Sequence, residues 1–135
     1  MKVLIADDSD VIVQRLITML TEIKGVEIAD QAGTVEAASK AVASLRPDVV
    51  ILDMHMPGGS GLDVLKSMKQ DSVTSTVIVL TNFAYPQYRK RCLQNGAEFF
   101  FDKSTEFEKV GEVLQGLMGR ASENAGSDNR ETNEV

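Results

Sequence analysis

The sequence predicts an α/β fold in which a five-stranded parallel sheet carries five helices on its two faces. Short apolar runs alternate five times with longer segments of helical period, as in sheets built from right-handed βα crossovers. The third run, Val49–Leu52, contains no polar residue, which is typical of a central strand covered on both sides. The chain has 135 residues, of which 43% are hydrophobic and 25% are charged, as expected for one globular domain.

The five apolar runs predict the strands in chain order. Each is four or five residues long and contains two or more residues of Val, Ile, Leu or Phe, as short buried strands usually do. The predicted strands are residues 3–6, 26–30, 49–52, 77–80 and 98–101.

Start and stop signals place the first four helices between and after these runs. A turn and cap at residues 7–10 precede the first helix, which should end at Gly25. Thr34 should cap the second helix, which stops before Pro47. The third follows the Gly-rich segment after the third strand, and the fourth, at about residues 87–94, should stop at Asn95-Gly96.

The last helix is expected to begin at Ser104 or Thr105 and to end near Gly119. Thr105 with Glu108 fits a capping box, in which the two side chains satisfy free backbone amides of the first turn. After Gly119 almost no apolar residue remains. We therefore expect a folded domain at residues 1–119 and a disordered polar tail at residues 120–135.

Charge and composition exclude several classes of protein. The net charge is −6 and the basic residues form no long run, so direct binding to nucleic acid is not expected. A single cysteine, Cys92, and a single histidine leave no disulfide and no ordinary zinc site. The N-terminal apolar run is short and ends in acids, unlike a signal peptide or membrane span, so we expect a cytoplasmic protein without membrane contact.

Chemically useful side chains follow four of the five predicted strands. Asp7 and Asp8 follow the first strand, Asp53 the third, Thr81 the fourth, and Lys103 comes shortly after the fifth. Singly, each is more often a turn former, a cap or a solvated charge. The carboxyl ends of parallel strands share one edge, where such folds bind ligands, so the five side chains are expected to form one pocket.

Electrostatics gives this pocket a chemical role. Two carboxylates ~5 Å apart repel each other by roughly 3 kcal/mol at an effective dielectric constant near 20. Three such groups need either a proton or a cation, and oxygen ligands favour Mg²⁺ or Mn²⁺. Asp53 could then attack phosphorus, while Thr81 and Lys103 stabilise the phosphoryl oxygens.

These residues make the chain resemble the receiver domain of response regulators in two-component signalling, in particular the single-domain regulators of chemotaxis. The resemblance covers about residues 2–119 and implies a flavodoxin-like, doubly wound sheet with strand order 2-1-3-4-5. It is carried by the acidic pair Asp7-Asp8, the run from Leu52 through Asp53 to Pro57, Gly61, Thr81 and Lys103.

The resemblance implies a site for one divalent cation beside the phospho-acceptor Asp53. By this resemblance Asp8, Asp53 and the backbone carbonyl of His55 bind Mg²⁺, or Mn²⁺, directly, and Asp7 contacts it through water. The His55 side chain is not expected to be a ligand. The protein itself is not an enzyme in the usual sense, since it would catalyse only its own phosphorylation and dephosphorylation.

The resemblance also implies a conformational switch and protein partners. Thr81 and Lys103 would bind the phosphoryl group, and Phe100 stands in place of the family's switch aromatic, although core packing explains Phe100 equally well. A sensor histidine kinase or a phosphotransfer protein would supply the phosphoryl group. The surface of the fourth helix, fifth strand and fifth helix would then control a downstream protein, with the chain a monomer or a phosphorylation-dependent dimer.

Four residues depart from the family's usual pattern. Ser104 replaces the proline that usually follows the lysine, and Asn82 replaces a small residue after the threonine. His55 and Phe83 occupy the two positions that flank the path of the hydrolytic water in this family. A bulky, apolar Phe83 should hinder that water, so we expect slow self-dephosphorylation.

Other interpretations are open at this stage. A receiver fold kept only for protein binding is disfavoured because all five site positions hold competent residue types. A phosphatase would need its nucleophile in an Asp-x-Asp motif after the first strand, where the sequence has Asp8-Ser9-Asp10, and a flavin-binding protein would need a Ser/Thr-rich phosphate loop there, where acids stand instead; both interpretations are disfavoured. The chain is either a single-domain regulator or a fragment whose polar tail was a linker. Separately, the basic residues 89–91 on the fourth helix form either a solvated face or part of a partner surface.

Overall fold

The computed structural model describes residues 1–120, and its centre is a five-stranded parallel sheet. The strand order is β2-β1-β3-β4-β5, which confirms the predicted fold class and order. The strands are β1 (Lys2–Ala6), β2 (Glu27–Ala32), β3 (Val49–Leu52), β4 (Thr76–Thr81) and β5 (Phe99–Asp102).

Five helices connect and follow these strands. None within the described residues is long and apolar enough to cross a membrane. Their bounds are α1 (Asp10–Thr21), α2 (Val35–Leu45), α3 (Gly61–Gln70), α4 (Pro86–Gln94) and α5 (109–120).

The hydrophobic core has two halves because neighbouring residues of a strand face opposite sides of the sheet. In β1, Leu4 packs in the half under α2, α3 and α4, whereas Val3 and Ile5 pack in the half under α1 and α5. All four residues of β3 are buried, as predicted for the central strand. Each fully buried Val, Leu or Ile contributes about 1.5–3 kcal/mol of transfer free energy, so the sheet is a rigid support.

Hydroxyl caps begin the first two helices. The Ser9 side chain accepts a hydrogen bond from the Ile12 amide, and the Thr34 side chain accepts one from the Ala37 amide at 3.0 Å. Thr34 therefore has the predicted capping role. The first helix ends at Thr21, earlier than predicted, and Gly25 (φ +90°) lies in the turn that leads to β2.

The predicted start of the last helix is wrong, because α5 begins at residue 109 rather than at Ser104 or Thr105. Hydrogen bonds to Asp102 organise residues 102–106 instead. The Asp102 carboxylate accepts hydrogen bonds from the Ser104 amide and hydroxyl, and the Asp102 carbonyl accepts one from the Glu106 amide. These bonds form a turn in place of the predicted Thr105–Glu108 capping box. Helix α5 continues to residue 120, and the rest of the predicted tail lies outside the described residues.

The strand register brings the ends of neighbouring strands to one edge of the sheet. Ala6 of β1 pairs with Leu52 of β3, and Thr81 of β4 pairs with Asp102 of β5. The residues that follow these pairs therefore emerge side by side. This edge carries the candidate site.

Candidate functional site

Three carboxylates meet at the carboxyl edge of the sheet. Oxygen atoms of Asp7, Asp8 and Asp53 lie within 4.8 Å of one another, as the sequence predicted. Backbone bonds fix two of them, because the Asp7 amide donates to the Ala32 carbonyl and the Asp53 amide to the Ala6 carbonyl, each at 2.9 Å. Asp7 and Asp53 are each only 6% exposed, whereas Asp8 is open to solvent.

Lys103 bridges the two buried carboxylates. Its Nζ lies 2.7 Å from Oδ2 of Asp7 and 3.0 Å from Oδ2 of Asp53, and the residue is 5% exposed. Its amide donates to the Thr81 carbonyl at 2.9 Å, which ties the lysine to the end of β4. One ammonium thus offsets part of the repulsion between two carboxylates in a region of low dielectric constant.

Burial and charge shift the pKa values of the bridged groups in a way that favours a cation. Burial raises the pKa of Asp7 above its ordinary value, and the hydrogen bond from Lys103 only partly opposes this. Burial by itself would lower the pKa of Lys103, but its contacts with Asp7 and Asp53 outweigh burial and raise that pKa. The cluster therefore keeps Lys103 charged and has excess negative charge to share with a metal ion.

Thr81 is fully buried at the end of β4, with its hydroxyl available as a donor. The Oγ1 atom accepts a hydrogen bond from the Phe83 amide at 3.0 Å. Since an accepting hydroxyl keeps its own proton, Thr81 can donate to a further acceptor at the site. The structure thus places Thr81 at the predicted edge with a chemically suitable group.

Gly61 is a supporting residue whose role the sequence did not predict. A Cβ atom at this position would lie 2.6 Å from the Asp53 carbonyl oxygen and 3.3 Å from a Leu52 side-chain carbon. Its amide donates to the Met54 carbonyl at 2.9 Å. Only glycine lets the first turn of α3 pack this closely on the backbone of Asp53.

The segment between β3 and α3 folds into a short hairpin that was also not predicted. Two-residue strands, His55–Met56 and Gly59–Ser60, pair antiparallel. The Ser60 amide donates to the Asp63 carboxylate at 2.9 Å. The Ser-x-x-Asp spacing of residues 60–63 is a capping-box signal, so the sequence did contain a clue to the start of α3.

Aromatic side chains form one rim of the site. The ring centroids of His55 and Phe83 lie 4.0 Å apart, and those of His55 and Tyr88 lie 6.4 Å apart. Tyr85 extends the group, with its ring 5.8 Å from that of Tyr88. The rim therefore joins the loop after Asp53 to the start of α4.

Phe100 is a core residue in this structure. It is 3% exposed and packs in the half of the core that contains Cys92 and Ala97. Its carbonyl accepts a hydrogen bond from the Arg89 guanidinium at 3.4 Å. Core packing accounts for this position, and a switching role for Phe100 stays a prediction.

The carboxylate cluster fits a small divalent cation. Oxygen ligands about 2.1 Å from an octahedral Mg²⁺ lie ~3 to ~4.2 Å from one another, and the oxygens of this cluster all lie within 4.8 Å of one another. All three donors are hard carboxylate oxygens, the ligand type that Mg²⁺ and Mn²⁺ prefer. The acidic pocket can therefore bind a metal ion, with Asp8 as its solvent-facing ligand.

Comparison with known proteins agrees with this architecture. The family model described as the response regulator receiver domain matches residues 3–115. The response regulator GacA of Pseudomonas aeruginosa is 30% identical over 114 residues, which are 84% of this chain and 53% of that protein. The chain thus spans about half the length of the curated relatives it matches.

Two solved structures support the same conclusion. A DNA-binding response regulator of the LuxR family from Staphylococcus aureus has 27% identity and a TM-score of 0.78, with 85% of this chain and 96% of that chain covered. The CheX–CheY complex with BeF3 and Mg²⁺ from Borrelia burgdorferi has 29% identity and a TM-score of 0.72, with 84% and 88% covered. Because the first of these is described as DNA-binding, the expected exclusion of nucleic acid has no support from the comparisons.

Replacing Gly61 by Ala should destabilise the fold by about 1–3 kcal/mol, because α3 must move away from the Asp53 carbonyl. Urea unfolding of the two proteins measures this difference. Gly116→Ala is the matched control: a Cβ there meets no atom within 4 Å, so helix propensity should make that variant as stable as the parent or more so. Equal stabilities of the two variants would contradict the close approach at Gly61.

Asp7→Asn should stabilise the protein at neutral pH when divalent cations are absent. The pKa of Asp7 is raised in the folded state, so the protonated carboxyl group adds to the free energy of unfolding below the ordinary pKa. This contribution is lost as the pH rises through the raised pKa and the carboxyl group ionises. The gain over the parent should therefore vanish near pH 4 (about the ordinary pKa) and be fully developed at pH 7. Urea unfolding across this range measures it, with the exposed Asp71→Asn as control; a variant no more stable than the parent at pH 7 would refute the prediction.

Proposed function

Because the chain belongs to the response regulator receiver domain family of two-component signalling, we propose that it is a phosphorylation switch whose acceptor is Asp53. The observation that carries this proposal is the placement of Asp53 between two further carboxylates and the Lys103 ammonium, 3.0 Å from its Oδ2. In this setting the Lys103 ammonium can bind one oxygen of an incoming phosphoryl group. The position of Asp53 directly after β3, at the carboxyl edge of the sheet, supports this assignment.

In the proposed reaction a carboxylate oxygen of Asp53 attacks the phosphorus of a phosphohistidine. The new bond is the P–O bond of an acyl phosphate, and the P–N bond breaks with its electron pair leaving on the histidine, which takes up a proton. Lys103 is already within hydrogen-bonding distance of Asp53, so it can transfer its contact to a phosphoryl oxygen. The Thr81 hydroxyl proton is free to bind a second phosphoryl oxygen.

We assign the metal to Asp8 and Asp53, with the His55 backbone carbonyl as the third protein ligand and Asp7 bound through water. Bound Mg²⁺ would neutralise charge on the phosphoryl oxygens. The excess negative charge around Lys103 supports this assignment. Asp7 and Asp53 also orient Lys103 when no phosphoryl group is present.

The proposed partners are a sensor histidine kinase or a phosphotransfer protein and a downstream target. On this proposal the switch acts through α4, β5 and α5, where Arg89 of α4 already contacts the Phe100 carbonyl of β5. Residues 1–119 form the receiver unit, and the chain catalyses only its own phosphorylation and dephosphorylation. It acts in the cytoplasm as a monomer or a phosphorylation-dependent dimer, and whether its output involves DNA depends on what it is joined to or binds.

Asp53→Asn should abolish covalent labelling by acetyl phosphate and Mg²⁺, because an amide oxygen is a poor nucleophile and a weaker metal ligand. Intact-mass spectrometry measures the added phosphoryl group. Asp30→Asn changes an exposed carboxylate on β2 and should label as the parent does. Unchanged labelling of the Asp53 variant would show that the acceptor lies elsewhere, whereas a parent protein that takes up no phosphoryl group would favour the interpretation as a pure binding domain.

Phe83→Ala should shorten the lifetime of the phosphorylated protein by about tenfold, equivalent to ~1.4 kcal/mol in the barrier. Phe83 packs its ring 4.0 Å from His55, and by the resemblance these two residues flank the path of the hydrolytic water. Loss of the phosphoryl group is followed by mass spectrometry after removal of the donor. Leu45→Ala, another partly exposed apolar residue, is the control. A parent protein that loses its phosphoryl group within seconds would contradict the protective role.

A further inference from the structure

Lys103 lies at the start of a turn that has little apolar packing of its own. The lysine is 5% exposed, but Ser104 and Thr105, which follow it, are both exposed to solvent, and α5 begins only at residue 109. The Lys103 amide donates to the Thr81 carbonyl at 2.9 Å, which restrains the backbone on one side of the lysine. The restraint on the other side has to come from hydrogen bonds within the turn, because exposed polar residues gain little from burial.

The Asp102 carboxylate provides this second restraint by bonding across the lysine. Its Oδ1 atom accepts hydrogen bonds from the Ser104 amide at 2.8 Å and from the Ser104 hydroxyl at 2.6 Å. Asp102 and Ser104 are the two neighbours of Lys103 in the chain, so these bonds close a loop around the lysine backbone. An aspartate that binds the amide two residues on forms a tight local turn, and an ionised acceptor strengthens the hydrogen bonds in it.

A further pair of hydrogen bonds joins the Asp102 backbone to Glu106. The Glu106 amide donates to the Asp102 carbonyl at 2.8 Å, and the Asp102 amide donates to Oε1 of Glu106 at 3.2 Å. The other carboxylate oxygen of Glu106 lies 2.7 Å from Nζ of Lys109 in the first turn of α5. We call Asp102, Ser104 and Glu106 the Asp102 clamp, since their hydrogen bonds enclose Lys103 and tie its turn to α5.

We propose that Asp102 is a positioning residue for phosphoryl transfer, because the clamp fixes the Lys103 backbone and thereby keeps the lysine ammonium at the acceptor carboxylate. The inference rests on the proposed function, in which Lys103 transfers its contact from Asp53 to a phosphoryl oxygen. A lysine carries its ammonium on a flexible four-carbon stem, so the ammonium has a defined place only when the backbone is held. The contacts of Nζ with Asp7 and Asp53, 2.7 and 3.0 Å long, would be broken by a shift of about 1 Å.

The clamp also accounts for the serine at position 104, where the family resemblance gives a proline. A proline ring fixes its own φ and has no amide hydrogen. Ser104 lacks that covalent restraint, but its amide and its hydroxyl are the two donors that the Asp102 carboxylate binds. Hydrogen bonds thus take over a restraint that a ring would supply.

The clamp is built on an ionised carboxylate. Hydrogen bonds from the Ser104 hydroxyl and from the Ser104 amide hold the pKa of Asp102 below its ordinary value. A carboxylate acts on its surroundings both through the hydrogen bonds that it accepts and through its charge. Asparagine separates the two effects, because its side-chain oxygen accepts the same hydrogen bonds and carries no charge.

Amide hydrogen exchange, followed by NMR in the absence of any phosphoryl donor, tests the clamp itself. Asp102→Ala removes both bonds to Ser104 and should speed exchange of the Lys103 amide by about tenfold relative to the Ile51 amide of β3, which reports on the stability of the whole sheet. Asp102→Asn keeps the acceptor oxygen and should stay within about twofold of the parent. Glu108→Ala is the matched control, since Glu108 is exposed in the same segment, forms no ion pair with residues 1–120, and loses the same charge.

The initial rate of labelling by acetyl phosphate and Mg²⁺ tests the effect of the clamp on the reaction. Asp102→Ala should label about fivefold more slowly than the parent, because a loosened turn lets the ammonium leave the acceptor. Asp102→Asn and Glu108→Ala should label at nearly the rate of the parent. Intact-mass spectrometry at short times measures the rates.

Each part of the proposal can fail separately. The clamp is overturned if Asp102→Ala leaves exchange of the Lys103 amide unchanged, or speeds exchange of the Lys103 and Ile51 amides equally. An Asp102→Asn variant that behaves like Asp102→Ala would attribute the effect to charge and overturn the hydrogen-bonding role. Faster exchange with an unchanged labelling rate would overturn the positioning role. A parent that takes up no phosphoryl group would contradict the proposed function, and the exchange measurements would still decide whether the clamp exists.

Discussion

The structure is organised around one electrostatic constraint: two buried carboxylates share a single buried ammonium. Lys103 lies within 3.0 Å of Asp7 and Asp53, and all three residues are almost completely removed from solvent. Such an arrangement is costly to desolvate and is retained only where the surroundings hold the charges in place. One positive charge cannot balance three nearby carboxylates. The repulsion among these carboxylates destabilises the fold, and for the same reason it favours the binding of a cation.

The hydrophobic sheet supplies the rigidity that this charge cluster needs. Each charged residue is anchored by the backbone: the amides of Asp7 and Asp53 continue the parallel ladder, and that of Lys103 binds the Thr81 carbonyl. Gly61 then allows α3 to pack against the Asp53 backbone without displacing it. Apolar burial in the two core halves thus holds in place a site that, taken alone, opposes folding.

The sequence predicts the parts of this arrangement that depend on chain-wide periodicity. The meeting of Asp7, Asp53 and Lys103 follows because parallel strands end at one edge of the sheet, whereas the strand order was implied by the family resemblance. Competition between alternative local hydrogen bonds is harder to predict. The Ser104 amide donates to the Asp102 carboxylate, and α5 starts at residue 109 although Thr105 and Glu108 fit a capping box. Contacts set by tertiary packing, such as that of Gly61 with the Asp53 backbone and that between the His55 and Phe83 rings, do not follow from local patterns, although the family resemblance had singled out these positions. The Ser-x-x-Asp spacing before α3 was a local clue to the start of that helix.

The position of Phe100 bears on how the site could communicate with the surface. An aromatic residue that is already buried has no hydroxyl to satisfy and little reason to leave the core, so its rotation alone is a weak source of surface change. The aromatic rim offers a shorter route, since Phe83 bonds Thr81 through its amide and contacts His55 through its ring. Helix α4 buries only Cys92 fully, so a small displacement at Thr81 costs little packing there. The charge cluster therefore rests on a buried sheet, whereas the helix beside it buries only one residue fully and has less packing to lose when it shifts.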